Sequence, residues 1–141
     1  MSRVYWDSML FIYWLEDHPK YAKQVDAIHS RMKQRHDRLI TGVFTFGEVL
    51  AGIYKSGKRE LVNDFRSLLQ NIVAEVVPFT LETADHYSRI RGDLNVTPAD
   101  AIHLASAAQA SADLFLTNDK NLIGKIVPGI QFIALLDTPI L

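Results

Sequence analysis

Two spacings of apolar residues alternate along this chain. Short, mostly apolar runs at 3–6 (RVYW), 38–43 (RLITGV), 75–78 (EVVP), 113–117 (DLFLT) and 130–135 (IQFIAL) have the composition of strands. Between them apolar positions recur every three or four residues, the spacing of one helix face. Tyr21, Val25, Ile28 and Met32 mark such a face over 20–34, and Leu61, Phe65, Leu68 and Leu69 mark another over 58–71. Further helices are predicted at 8–16, 46–54, 80–94 and 97–111, with a short one at 119–126. Lys55-Ser56-Gly57 supplies a C-cap for the helix over 46–54. No repeat, low-complexity tract or linker interrupts the pattern. Strand and helix in alternation predict a central parallel sheet of about five strands between helices. The whole of 1–141 reads as one α/β domain.

Four acidic residues stand where strand-like runs give way to helical ones: Asp7, Glu48, Asp100 and Asp119. Strand ends of a parallel sheet share one edge, and ligands bind there, at the point where strand order reverses. Each acid also has a structural role open to it. Thr45-Phe-Gly-Glu48 and Thr97-Pro-Ala-Asp100 fit the capping box, and Asp7 and Asp119 fit helix N-caps. Four acids at equivalent junctions nevertheless exceed what capping needs, since Ser or Thr caps without charge repulsion. Carboxylates gathered at one edge resist joint ionisation unless a cation sits between them. Mg²⁺ and Mn²⁺ are the cations that favour such oxygen ligands.

Composition narrows the alternatives. The 141 residues carry a net charge of −1, so global charge offers no attraction to nucleic acid. Local cations must supply it: Lys55, Lys58 and Arg59 after the Glu48 helix have the better claim, ahead of Arg31, Lys33, Arg35 and Arg38. Cysteine is absent, which excludes disulfides and thiolate chemistry and fits a reducing cytoplasm. The apolar N-terminal stretch is broken by Asp7 and ends at Glu16-Asp17, so it does not read as a signal peptide or a membrane span. The phosphate-binding loop Gly-x₄-Gly-Lys-Ser/Thr is missing, and Ser8 and Ser106 lack the pattern of a nucleophilic triad. His103, one turn into the small-residue helix, is expected in the core. Phe11, Tyr13 and Trp14 are expected mainly in the core, with some apolar surface left exposed.

The blocks DS (7–8), EVLAG (48–52), TPADAIHLASA (97–107) and LTND (116–119) together resemble the PIN domain family, most nearly the VapC-type toxins of toxin–antitoxin pairs. The resemblance runs through essentially the whole chain and is most specific in the last two blocks. It implies a parallel sheet between helices, a bound Mg²⁺ or Mn²⁺, and cleavage of RNA. It also implies Asp7, Glu48, Asp100 and Asp119 as the metal-binding and catalytic quartet, with Ser8 and Thr117 or Asn118 in support. An antitoxin bound beside the first helix and a homodimer are implied as partners. Within this set Asp7 and Asp119 are expected as the most direct ligands, with Asp100 completing the shell. Glu48 either orients or deprotonates the attacking water or serves as an outer ligand. Two positions depart from the family pattern: Met9, and Asn121, where many relatives carry a further acid. The competing readings are a PIN-like scaffold that binds RNA or protein without cutting, and a receiver-type phosphoacceptor, which would need paired acids after the first strand.

Overall fold

The computed structural model describes residues 1–138; residues 139–141 of the expected domain lie outside them. The strands are β1 (Arg3–Trp6), β2 (Arg38–Gly42), β3 (Glu75–Val77), β4 (Leu114–Thr117) and β5 (Phe132–Leu135). The helices are α1 (Ser8–Leu15), α2 (Ala22–Arg35), α3 (Val43–Ser56), α4 (Leu61–Ile72), α5 (Leu81–Asp93) and α6 (Pro98–Gln109). All neighbouring strands pair in parallel, in the order β3-β2-β1-β4-β5. The chain winds outward from β1 through β2 to β3, then returns to the other side of β1 for β4 and β5. Strand order therefore reverses between β1 and β4.

Alternation along the strands divides the core in two. Val4, Trp6, Leu114 and Leu116 pack with Leu10 and Phe11 of α1, Val25, Ile28 and Met32 of α2, Val49 and Ile53 of α3, and Phe65 of α4. Tyr5, Ile40 and Phe115 point the other way, onto Ile90 of α5 and the alanines of α6. Each large apolar side chain buried in these layers contributes roughly 1.5–3 kcal/mol. Small residues let α6 lie close to the sheet: at Gly42 an added Cβ would come within 2.8 Å of the Tyr5 hydroxyl oxygen and 3.1 Å of Ser106 Oγ. On α1, Phe11 is fully buried, Tyr13 and Trp14 are half-buried and Met9 is exposed, as the aromatic pattern suggested. No helix among the described residues is long and apolar enough to cross a membrane.

Two boundaries differ from the sequence expectation in ways that bear on the site. Helix α3 starts at Val43, ahead of the expected Phe46, with Gly42 as a cap that uses no side chain. Thr45 is therefore inside the first turn and buried, its Oγ1 accepting from Thr41 Oγ1 at 2.8 Å. The Thr45–Glu48 capping box does not form, and Glu48 is released from a capping role. The expected helix over 119–126 contracts to a single 3-10 turn, Lys120–Leu122, because Gly124 takes a left-handed φ of 86°.

Candidate active site at the carboxyl edge of the sheet

Asp7 follows β1 directly, Asp119 follows β4, Asp100 sits in the first turn of α6, and Glu48 lies in the second turn of α3. All four line one cavity of about 480 Å³ beside the point where strand order reverses, together with Ser8, Tyr13, His103 and Asn118. The structure thus brings the four expected acids and two of the three expected supporting residues to one wall-to-wall site. Thr117, the third, reaches it through Asp7.

Asp7 is the most constrained of the acids. Its Oδ1 accepts from the Ser8 backbone N–H at 2.7 Å, and its Oδ2 accepts from Thr117 Oγ1 at 2.9 Å. Thr117 Oγ1 in turn accepts from the Asp119 backbone N–H at 3.0 Å. One hydroxyl thereby ties the acid after β1 to the acid after β4. Asp119 Oδ1 accepts from Asn121 N at 2.9 Å, so it caps the 3-10 turn as the sequence allowed. The Asp100 backbone N–H donates to Thr97 Oγ1 at 3.2 Å, one half of the predicted capping box. Asn118 Nδ2 donates to the Tyr13 hydroxyl at 2.9 Å and holds that ring at the rim.

Glu48 is held by a chain of buried groups that begins on the far side of the sheet. The Gly42 N–H donates to the Tyr5 hydroxyl at 3.1 Å, and that hydroxyl pairs with His103 Nδ1 at 2.9 Å. Tyr5 is fully buried, and burial pushes its phenol far above the ordinary range, so it keeps its proton and donates it to Nδ1. The imidazole hydrogen then belongs on Nε2, which faces Glu48 Oε1 at 2.5 Å and Ser8 Oγ at 3.2 Å. Ser8 Oγ donates to the same Oε1 at 2.6 Å. Burial alone would raise the Glu48 carboxyl, but the hydrogen bonds from His103 and Ser8 hold it below the usual carboxylate range. His103 is buried, as expected of a core histidine, and it is also a wall of the site. A polar ring among alanines requires a partner, and that was the sequence signal; which partner it finds is set by the sheet.

Asp100 has the opposite balance. Burial raises its carboxyl above the ordinary value, Thr97 opposes this, and the charge of Asp119, a hydrogen bond with Asp119 and the charge of Asp7 raise it further. Carboxyl groups that line one cavity and raise one another's affinity for a proton are oxygen donors of the kind a hard divalent cation takes. The fit is strongest for Asp100 and Asp119, with the Asp7 charge beside them. As placed, no three His, Asp or Glu side chains among the described residues stand close enough to hold one ion together. Glu48 is engaged by Ser8 and His103, and the same His103 Nε2 stands 3.6 Å from Asp7 Oδ1.

The expected basic residues separate. Lys55 lines the cavity, one further helical repeat along the face that carries Glu48, Ala51 and Gly52. Lys58 and Arg59 lie beyond the end of α3 and do not line it; Arg59 stands over the Tyr54 ring at 5.1 Å. Arg35 pairs with Asp37 at 3.0 Å, and Lys33 and Arg38 line a separate cavity with Asp37 at the amino end of β2. That basic run is therefore at the opposite edge of the sheet from the acids.

The PIN domain family model matches residues 4–125 of the chain. No curated protein matches the sequence. Among solved structures, a chain of VapBC2 from Rickettsia felis bound to a promoter DNA fragment is 14% identical with a TM-score of 0.71, covering 94% of this chain and 98% of that one. A chain of FitAB bound to the IR36 DNA fragment is 17% identical with a TM-score of 0.69, covering 94% of each. A chain of VapBC-5 from Mycobacterium tuberculosis is 19% identical with a TM-score of 0.59, covering 94% of this chain and 98% of that one. At these identities the likeness concerns the fold. The family match extends over most of the chain and includes all four acids, although only Asp7 and Asp119 follow strands as the sequence suggested, Asp100 following the α5–α6 turn and Glu48 lying inside α3: the protein belongs to the PIN domain family.

Proposed function

We propose that this protein is a divalent-metal-dependent endoribonuclease, the toxin of a type II toxin–antitoxin pair. The observation that carries this reading is the meeting of Asp7, Glu48, Asp100 and Asp119 around one cavity beside the point where strand order reverses. The fold shared with chains of VapBC and FitAB complexes supports an antitoxin partner, and a homodimer is proposed on the resemblance to VapC-type toxins alone.

Asp100, Asp119 and Asp7 would hold Mg²⁺ or Mn²⁺ after their side chains draw closer together around it. Bound there, the cation supplies a Lewis acid for the scissile phosphate and lowers the pKa of a water. The chain's own groups do the rest. Thr117 and the Ser8 N–H fix both oxygens of Asp7, so its charge is presented without rotamer freedom. Glu48 Oε1 is committed to Ser8 and His103, which leaves Oε2 to orient the attacking water. Its low basicity favours orientation over outright proton removal. Lys55 is placed to neutralise the phosphate backbone at the cavity mouth, with Lys58 and Arg59 contributing farther out.

The test is cleavage of single-stranded and structured RNA by purified protein in Mn²⁺ or Mg²⁺ and in EDTA. Cleavage that requires the cation is expected. RNA binding without cleavage would instead support a PIN-like module that binds without cutting, and equal cleavage in EDTA would remove the metal from the account.

A further inference from the structure

A second cavity, of about 490 Å³, opens on the other side of Asp100 and Asp119 and shares both residues with the first. The carboxyl pair is therefore a ridge between two hollows. Beyond that ridge the second hollow has no further acid: Asn95, Thr97, Asn121 and Lys125 line it. We infer that this hollow is a second arm of the substrate groove, which takes the backbone of a single-stranded polynucleotide on the side of the scissile phosphate away from Lys55.

The inference rests on the nuclease reading above and deepens it. A mononucleotide needs one pocket, but a polynucleotide cut internally must leave the reaction centre in both directions. Lys55 lines one hollow and Lys125 the other, so a cation flanks each side of the acidic ridge that would otherwise repel the strand. None of the ion pairs among the described residues uses Lys125, so its charge is not already spent on a carboxylate. A neighbouring group is set up to donate. Asn121 satisfies Asp119 through its backbone N–H, which leaves its side-chain amide available. The segment is anchored as well: Leu122 and Val127 are buried on either side of Lys125, and the Lys125 N–H donates to Leu122 O at 3.3 Å.

The test compares wild type, Lys125→Ala and Lys125→Arg on labelled single-stranded RNA, measuring kcat, KM and the salt dependence of binding. Loss of one phosphate contact on a single strand lowers the slope of log affinity against log salt by about 0.7. Lys125→Ala should show that loss with KM raised about fivefold, kcat should stay within about twofold, and Lys125→Arg should restore KM. Oligonucleotides too short to cross the ridge should not distinguish the variants. If wild type cleaves while Lys125→Ala keeps its KM and salt slope, the second arm is refuted and the nuclease reading stands. If wild type neither binds nor cleaves RNA, the nuclease reading fails and takes this arm with it.

Discussion

Asp7→Asn separates a metal ligand from a helix cap more cleanly than any other change in this site. The amide keeps an Oδ1 to accept the Ser8 N–H, now at 2.7 Å, and Asn caps a helix about as well as Asp. The cost falls on the other oxygen. Thr117 Oγ1 now donates to Oδ2 and accepts from the Asp119 N–H; opposite an amide nitrogen it must accept instead, and its own proton loses a partner. One reorganised hydrogen bond costs about 1 kcal/mol. Removing the Asp7 charge offsets part of this, because that charge is among the causes that raise Asp100. The net change in stability should stay within about 1 kcal/mol, a shift in Tm of no more than about 4 °C for a domain of this size. Activity should respond on another scale: groups that merely support a metal ligand are worth 10–100-fold, so losing the ligand's charge should lower kcat/KM at least about 100-fold. Cleavage kinetics in Mn²⁺ measured beside thermal melts decide it. Asp7→Asn with kcat/KM within about threefold of wild type would refute the assignment of Asp7 to the cation.

The remaining predictions concern the groups around Asp7. Tyr5→Phe leaves the Gly42 N–H and His103 Nδ1 without their buried partner and should cost about 1–3 kcal/mol in urea unfolding, with kcat falling more than KM; unchanged unfolding would show that the Tyr5–His103–Glu48 chain does not form. Asp100 is raised, so in metal-free protein its contribution to stability is present while it is protonated and is lost as pH rises through its raised pKa. Asp100→Asn should therefore melt above wild type at neutral pH without metal, converge with it in acid, and lose the advantage in Mn²⁺; parallel melting curves at every pH would contradict this. Glu48 is lowered, so its contribution is present above the ordinary carboxylate range and fades as pH falls through its lowered pKa. Glu48→Gln should melt below wild type at neutral pH, and a gap that persists in strong acid would assign the loss to packing.

The sheet and its helices were legible because period and punctuation agreed along the chain, and that agreement also placed Asp7 and Asp119 at strand-to-helix junctions; Asp100 instead follows the turn between α5 and α6, and it reaches the same edge because α6 starts there. Glu48 was legible as a site residue but not in its local role. A Thr three residues before a Glu looks like a capping box, yet Gly42 caps α3 with no side chain and Thr45 turns inward to Thr41. Lys55 could be placed by helical spacing from Glu48. Lys58 and Arg59 could not, because Gly57 ends the helix with a φ of 75° and breaks that spacing. His103 was the larger gap. Its burial follows from its helix face, but its partners are Tyr5, 98 residues away, and Glu48, 55 residues away. Those contacts depend on β1 and β2 pairing in the register that sets Tyr5 opposite Ile40, two residues before Gly42. A period along one chain carries no information about that distance across the sheet.

The central claim is that Asp100, Asp119 and Asp7 hold a divalent cation at the ridge between the two hollows. Crystals grown with millimolar Mn²⁺ and measured for anomalous scattering report the cation's position independently of any activity. The account predicts one strong Mn²⁺ peak among the carboxylates of Asp100, Asp119 and Asp7, and its loss in Asp100→Asn. A map with no peak there, at Mn²⁺ concentrations that support cleavage, would contradict it.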